Sequence, residues 1–313
     1  MFFVIFVASI FVSFVADRFP VFVASVAAQE PSDALEIASA GRTVRVQRSN
    51  GDRRIVDLPI ESYVAQVLAG EGEGGAAEAA QQALAIAIRT FMIANAGRHR
   101  REGFDLCTTT HCQNSRAATP VSRRAALTTA GQVLMHNGSV AEVFYSASCG
   151  GRSEAAAEVW PRAPDYPYLR SVADDVCTGD APWTLDIPAA RVEQLLRKVG
   201  FTGGRLSDLR IERRSSSGRV ATLHLSGLEP DVIAGENFRA AIGARELRST
   251  AFSVTKTGRG YRFTGRGYGH GVGLCIVGAG RRAARGESAV DILERYYPGL
   301  RVATLSQEIG GRR

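Results

Sequence analysis

Two acidic residues stand in a glycine-rich stretch where a general acid could work. Glu71 and Glu73 belong to "EGEGG", directly before an alanine-rich segment. The simpler explanation is that acids ahead of a helix are stabilised by the helix dipole, by a few tenths to about 1 kcal/mol. The alternative is that the apolar segment "YVAQVLA" shields one carboxyl and raises its pKa, so that it can protonate a leaving oxygen. The residues alone leave both explanations open.

A second group of residues has the donor types of a metal site. In "CTTTHCQ", four residues separate Cys107 from Cys112, and His111 precedes the second cysteine. Thiolates and an imidazole at this spacing can hold zinc. In an exported chain the alternative is a disulfide, either local or to Cys149 or Cys177. A pairing of Cys149 with Cys177 is equally open.

The stretch "GRGYGHGVG", residues 265–273, places five glycines around His270. It lacks the third glycine of a dinucleotide fingerprint and the Lys-Ser/Thr end of a phosphate-binding loop, so nucleotide binding is disfavoured. His270 is either a structural histidine or part of a groove wall, since glycines let a backbone approach a ligand closely. Ser148 and Cys149 precede two glycines but lack the nucleophile elbow. Cys275 falls in an apolar helical segment and is expected to be a buried free thiol.

The elements that must position these residues are both helices and strands. Alternation predicts a strand at Thr43–Arg48, and strand character returns over Gln132–Ser146. A helix is expected to end at Gly70, and an alanine-rich helix with one buried face spans Ala76–Ala96, where Gly97 stops it. The mixture predicts an α+β fold, with helices and short antiparallel strands around a central alanine-rich helix.

Residues 179–250 are expected to form a small inserted subdomain. Within this segment, alternation predicts a strand over Arg219–Gly227, and an amphipathic helix is expected to end at Gly200. Near the end of the chain, Ser288 and Asp291 make the capping-box pattern that begins a helix.

The N-terminus and the charge indicate where the protein works. Residues 1–28 are largely apolar, and the small residues Ser25 and Ala27 predict a secretory signal peptide cleaved near Ala27 or Ala28, or else an uncleaved anchor. Residues 29–313 would then lie outside the cytoplasm, with a membrane contact only through an uncleaved N-terminus. The formal charge of +7 favours an anionic envelope polymer or lipid head groups as a partner, and at that location nucleic acid is not expected.

Three blocks of the sequence together resemble the stage II sporulation protein D family, which also includes amidase enhancer proteins. They are "YVAQVLAGEGEGGAAEAAQQALAIAIRTF", "FDLCTTTHCQ" with "VFYSASCGGRSE", and "GRGYGHGVGL" with "ILERYYPG". The family shows a tyrosine-led helix ending in glutamate, an alanine-rich helix closed by Ala-Arg-Thr, and a Gly-His-Gly-Val-Gly loop. Where the family loop usually continues Ser-Gln-Tyr or Ser-Gln-Trp, this chain has Cys275, Ile276 and Val277. We identify residues 29–313 as a domain that resembles this family.

The resemblance implies a peptidoglycan lytic transglycosylase that cuts glycan strands between N-acetylmuramic acid and N-acetylglucosamine and leaves a 1,6-anhydro end. Glu71 would be its acid and base, and this chemistry requires no cofactor. A structural zinc ion would be held by Cys107, His111 and Cys112, with His99 as a further ligand. The residues expected to contact the glycan are Arg89, Gln113, Tyr145, Ser146, Tyr268, His270, Gly271 and Gly273.

Two other functions compete with this one. A non-catalytic module could bind glycan strands and stimulate a cell-wall amidase, as amidase enhancers are proposed to do. A zinc-dependent hydrolase is the third alternative, and it should lose activity reversibly on chelation. The three functions differ in whether Glu71 is needed for product release.

Overall fold

The computed structural model describes residues 31–49, 53–162 and 164–305. The predicted signal peptide or anchor, residues 1–28, lies outside the described residues. Among the helices of the described ranges, none is both long enough and apolar enough to cross a bilayer.

An alanine-rich helix, α3 (Glu78–Ala94), lies at the centre of the larger hydrophobic core. Every residue from Ala83 to Met92 is buried. The predicted helix is therefore confirmed, but the single buried face is not, because four other helices and two strands of the described residues pack around it. Alanine side chains are small, so neighbouring helices can approach this one closely. Gly97 follows with a positive φ of 80° and turns the chain, as the sequence predicted.

A strand followed directly by a helix precedes α3, and Glu71 is the last residue of that helix. Strand β2 (Ile55–Pro59) pairs antiparallel with β1 (Thr43–Gln47), and helix α2 (Ile60–Glu71) begins directly after Pro59. Proline fixes φ and lacks the amide that a first helical turn leaves unpaired, so it suits this junction. On its other side β1 pairs parallel with β3 (Leu106–Cys107), so parallel pairs occur beside the predicted antiparallel ones.

The region with strand character at Gln132–Ser146 is three short strands rather than one. Asn137 and Gly138 both have positive φ, 48° and 81°, and turn β4 (Gln132–His136) back onto β5 (Ser139–Val140). Asn-Gly is the preferred pair for a tight hairpin turn of this kind. Further on, β6 (Tyr145–Ser146) pairs parallel with β13 (Leu274–Cys275), which brings the glycine-rich stretch next to the α3 core.

A second hydrophobic cluster runs from Trp183 to Phe263 and is built mainly from strands. One sheet is formed by β8 (Thr202–Arg214), β9 (Val220–Glu229) and β10 (Val232–Ala234), and another by β7 (Trp183–Pro188), β12 (Gly260–Gly265) and β11 (Phe252–Lys256). The boundaries of the inserted subdomain, residues 179–250, stay a prediction.

The remaining helices and strands complete the α+β fold that the sequence predicted. The other helices of the described residues are α1 (Pro31–Ala38), α4 (Pro120–Thr128), α5 (Ala156–Val159), α6 (Ala189–Lys198), α7 (Gly235–Ile242), α8 (Ile276–Ala284) and α9 (Ala289–Tyr296), with 3-10 turns at Arg100–Glu102 and Asp175–Cys177. The other strands are β7 (Trp183–Pro188), β8 (Thr202–Arg214), β9 (Val220–Glu229), β10 (Val232–Ala234), β11 (Phe252–Lys256), β12 (Gly260–Gly265) and β14 (Arg301–Thr304). The capping box of Ser288 with Asp291 at the start of α9 is confirmed.

Candidate active site

Glu71 is the last residue of α2 and is half-buried. Its Oε1 accepts a hydrogen bond from the backbone N–H of Asn114 at 2.7 Å. Burial raises the pKa of this carboxyl, while the Asn114 N–H and the charge of Arg116 oppose that rise. Because the C-terminus of a helix is the negative end of its dipole, the dipole disfavours a carboxylate here. The explanation of Glu71 as a dipole-stabilised acid ahead of a helix is therefore wrong.

A buried row of polar side chains lies close to Glu71. The Tyr63 hydroxyl donates to Gln113 Oε1 at 3.0 Å, and Gln113 Nε2 donates to the Tyr145 hydroxyl at 2.9 Å. Burial raises the pKa of both tyrosines, and the charge of Glu71 adds to the rise. Gln113 is 1% exposed, so the expectation that it contacts glycan is wrong. Its role is to join two tyrosines beside the acid.

Arg89 also lies in the core rather than in a groove. It is 0% exposed, and its guanidinium makes two hydrogen bonds to Glu61, at 2.9 and 2.5 Å, and a third to the Gln132 carbonyl at 2.9 Å. The expectation that Arg89 binds substrate is therefore wrong, because no atom of this arginine can reach a ligand. The motif arginine instead ties α3 to α2.

A groove begins two residues beyond Glu71. It has a volume of about 670 Å³, is open to solvent, and runs between the α2–α3 connection and α8. Glu73, which is exposed, lies on its wall opposite Arg281 of α8. The lining residues are Glu73, Gly75, Ala76, Ala77, Asp180, Val277, Gly280, Arg281 and Ala284. This size is within the range of ligand pockets, about 300 to 1,000 Å³.

Two residues at the start of α8, Ile276 and Val277, differ from the family's usual sequence and lie in different environments. Val277 lines the groove, whereas Ile276 is 7% exposed and belongs to the hydrophobic core. Ile276, which stands at the family's glutamine position, is therefore not among the groove residues, and Val277 contributes an apolar side chain to the groove wall.

The glycine-rich stretch folds against the protein's own groups. Gly271 and Gly273 have positive φ, 79° and 72°, and a Cβ at either position would overlap the Arg219 guanidinium or the Phe144 carbonyl, respectively. The expectation that these glycines allow close approach of glycan is wrong, because Arg219 and Phe144 already occupy the space.

His270 is half-buried and is held in one orientation by its neighbours. Its Nδ1 accepts the N–H of Val272 at 3.0 Å, and its ring lies 5.1 Å from the Trp160 ring. Burial lowers the pKa of His270 to about 3, and the charges of Arg219 and Arg239 add to the effect. The imidazole is neutral at pH 7, with its proton on Nε2, so His270 cannot supply a positive charge to a bound ligand.

The remaining predicted glycan contacts have unequal access to solvent. Tyr268 is 42% exposed and stays a predicted contact. Ser146 is 6% exposed, and its Oγ has no hydrogen-bond partner within the described residues. Tyr145 is half-buried with its hydroxyl committed to Gln113.

The predicted metal ligands come together, and His99 joins them. The ligand atoms of His99, Cys107, His111 and Cys112 all lie within 4.8 Å of one another. Cys112 Sγ is 3.4 Å from His99 Nε2, and His99 Nδ1 is 2.7 Å from Glu102 Oε1. A carboxylate on the second ring nitrogen is the usual support of a metal-bound histidine. Two thiolates and two imidazoles fit a structural zinc ion, and no disulfide joins the cysteines of the described residues.

Residues 48–136 match the family model described as "Stage II sporulation protein". Residues 48–136 thus carry the domain of the stage II sporulation protein D family. The resemblance drawn from its motifs is thereby confirmed. Residues 182–273 match a second model, described as "Domain of unknown function (DUF8618)".

Two of three similar curated proteins carry names of this family, and the third is uncharacterized. The stage II sporulation protein D of Bacillus amyloliquefaciens is 28% identical over 83% of this chain and 78% of its own length. An uncharacterized protein of Brachyspira hyodysenteriae is 28% identical over 78% of this chain and 66% of its own. The amidase enhancer of Bacillus subtilis is 27% identical over 57% of this chain, but only 32% of that protein is covered.

Two features of the site were not found from the sequence. The backbone N–H of Asn114 holds the acid, and a backbone donor leaves no signature in residue types. Glu102 supports His99 from three residues away, and only the short His-x-x-Glu spacing could have indicated it.

Proposed function

We propose that the chain is a peptidoglycan lytic transglycosylase in which Glu71 is the acid and then the base. The family match and the names of the relatives support the coarser statement, a function related to the cell wall. The observation that carries the finer one is Glu71 itself, a half-buried carboxyl of raised pKa two residues before the first residue of an open groove.

The geometry of Glu71 suits proton transfer. Oε1 is held by Asn114, and none of the described residues hydrogen-bonds Oε2, so this second oxygen is the one that would carry the proton to a substrate oxygen. Protonated Glu71 gives its proton to the glycosidic oxygen as the bond from that oxygen to C1 of N-acetylmuramic acid breaks. The resulting carboxylate takes the proton of the muramic 6-hydroxyl as this oxygen attacks C1. One glutamate serves both steps, and no water is consumed.

The decisive experiment is mass spectrometry of the soluble products when the purified chain is incubated with glycan strands stripped of stem peptides. We expect fragments ending in 1,6-anhydro-muramic acid. Fragments with reducing ends would instead mean hydrolysis and would contradict the transglycosylase mechanism.

The alternative is a glycan-binding enhancer of a cell-wall amidase. Two observations favour it: the similarity to an amidase enhancer, and the apolar Val277 on the groove wall. Under this alternative, the chain sediments with glycan strands but releases no product, and added amidase cleaves stem peptides faster in its presence.

The raised pKa of Glu71 predicts the pH dependence. The acid form must be present at the start of the reaction, so kcat/KM should fall as pH rises through a pKa above the ordinary 4.5 of glutamic acid. The charge of Arg116 lowers this pKa, so Arg116→Gln should move the falling limb to higher pH. A pH–rate profile of both proteins measures the shift, and a limb displaced to lower pH would contradict the assignment.

Gly70 sets the spacing between α2 and the Asn114 segment. A Cβ at this position would overlap the Asn114 carbonyl oxygen, so Gly70→Ala should push Asn114 away from Glu71. A displacement of about 1 Å can cost roughly 10²-fold in rate, and we expect a loss of that order in anhydro-product release. Gly74→Ala is the matched control, since nothing lies within 4 Å of its added Cβ. Equal rates for the two variants would contradict the role of this contact.

We further propose that His99, Cys107, His111 and Cys112 hold one structural zinc ion and that the protein acts outside the cytoplasm. The zinc would close the segment that precedes Asn114 without contacting substrate. Any attachment to a membrane would be through the N-terminal segment.

A further inference from the structure

Three cysteines and an aspartate outside the proposed active site converge in the core. Cys149, Asp174, Cys177 and Cys275 are each no more than 2% exposed, and their ligand atoms all lie within 4.8 Å of one another. They come from separate parts of the chain: the loop after β6, the 3-10 turn at Asp175–Cys177 with the residue before it, and the end of β13.

Two of the separations between these atoms are close to those around one tetrahedral ion. Cys177 Sγ lies 3.6 Å from Cys275 Sγ, and Cys149 Sγ lies 3.3 Å from Asp174 Oδ2. Zinc–sulfur bonds of about 2.3 Å at tetrahedral angles place two sulfurs about 3.8 Å apart, and a sulfur and a carboxylate oxygen about 3.5 Å apart. An iron–sulfur cluster would hold its thiolates further apart than this, because bridging sulfides lie between them.

Hydrogen bonds orient the donor atoms as they do around bound metals. Cys275 Sγ accepts the backbone N–H groups of Cys149 and Gly278, both at 3.2 Å. On the aspartate, Oδ1 accepts from Arg282 at 3.0 Å and Oδ2 accepts from the Tyr296 hydroxyl at 2.7 Å. Such outer partners fix the ligands and balance their charge.

The charges also favour a cation at the centre. As metal ligands, the three cysteines and Asp174 would place four negative charges in the core, and buried charges are normally paired or bound to a metal. A divalent ion removes two of them. Arg282, which bonds to Asp174 and also pairs with Asp175 and Glu287, offsets part of the remaining charge.

We propose that Cys149, Asp174, Cys177 and Cys275 form a second zinc site, separate from the one at His99, Cys107, His111 and Cys112. Soft thiolates with one carboxylate suit zinc rather than magnesium or calcium. With no open coordination position, the ion would be structural. It would fasten the start of α8, which forms one wall of the groove, to the loop after β6. The proposal does not depend on the proposed reaction.

Zinc per chain, measured by mass spectrometry of the desalted protein, tests the proposal. The full chain is expressed in an export-competent host and purified without chelator. We expect two zinc ions in the wild type, and one in Cys275→Ser and in Cys112→Ser. The zinc remaining in each variant shows that it is still folded. Equal zinc in Cys275→Ser and wild type would overturn the proposal. The proposal would also be overturned if the wild-type mass were two hydrogen atoms below that of the reduced chain and the difference were traced to a disulfide between two of the three core cysteines.

A cobalt experiment covers the case in which Cys275→Ser does not fold. Cys112→Ser leaves the three core cysteines and Asp174 untouched. After removal of zinc and addition of Co²⁺, this variant should bind one equivalent with the near-ultraviolet charge-transfer absorption of cobalt–thiolate bonds. Absence of that absorption would overturn the second site.

Discussion

Glu71→Gln should lower the rate of anhydro-product release by about 10² to 10⁴ and leave the fold intact, because the change removes the proton but little volume. The amide oxygen of glutamine can still accept the Asn114 N–H, so the local backbone should not move. Rates come from timed product release by mass spectrometry, and circular dichroism with thermal unfolding checks the fold.

Glu78→Gln is the matched control for this result. Glu78 is an exposed carboxylate in the first turn of α3, where it accepts a hydrogen bond from Gln82. The same chemical change there should leave the rate at the wild-type level. If Glu73→Gln abolished product release and Glu71→Gln did not, the acid would be the exposed carboxyl and our assignment would be wrong.

Glu61→Ala should destabilise the protein by about 3 to 5 kcal/mol, because it leaves the charge of Arg89 buried without its partner. Both side chains are 0% exposed, and Glu61 Oε1 also accepts the N–H of Gly131 at 3.0 Å. Urea unfolding followed by circular dichroism measures the loss of unfolding free energy.

The exposed ion pair of Arg45 with Asp57 provides the comparison. Its side chains are 54% and 56% exposed, so water already solvates both charges. Asp57→Ala should leave the unfolding midpoint close to that of the wild type. If Glu61→Ala also unfolded near the wild-type midpoint, Arg89 would have found another partner or water. That result would contradict the importance of the buried pair for stability.

The sequence predicted the central helix, the α+β class and the group of Cys107, His111 and Cys112, to which the family resemblance added His99. These features could be predicted because each depends on residues that lie close together in the sequence. It misplaced Arg89 and Gln113, since a polar residue in a motif reads the same whether it contacts a ligand or fills the core. The meeting of Cys149 with Cys275 has no short-range signature, because 126 positions separate them.

The short distance in sequence between the proposed zinc ligand Cys112 and the Asn114 donor that holds Glu71 has a consequence for inhibition by chelators. Cys112, Gln113 and Asn114 are consecutive, so a proposed zinc ligand, the link between the two tyrosines and the donor that holds Glu71 move as one segment. A chelator would then slow the enzyme by releasing this segment. Chelator sensitivity, which would normally indicate a metal-activated nucleophile, would here report a displaced acid.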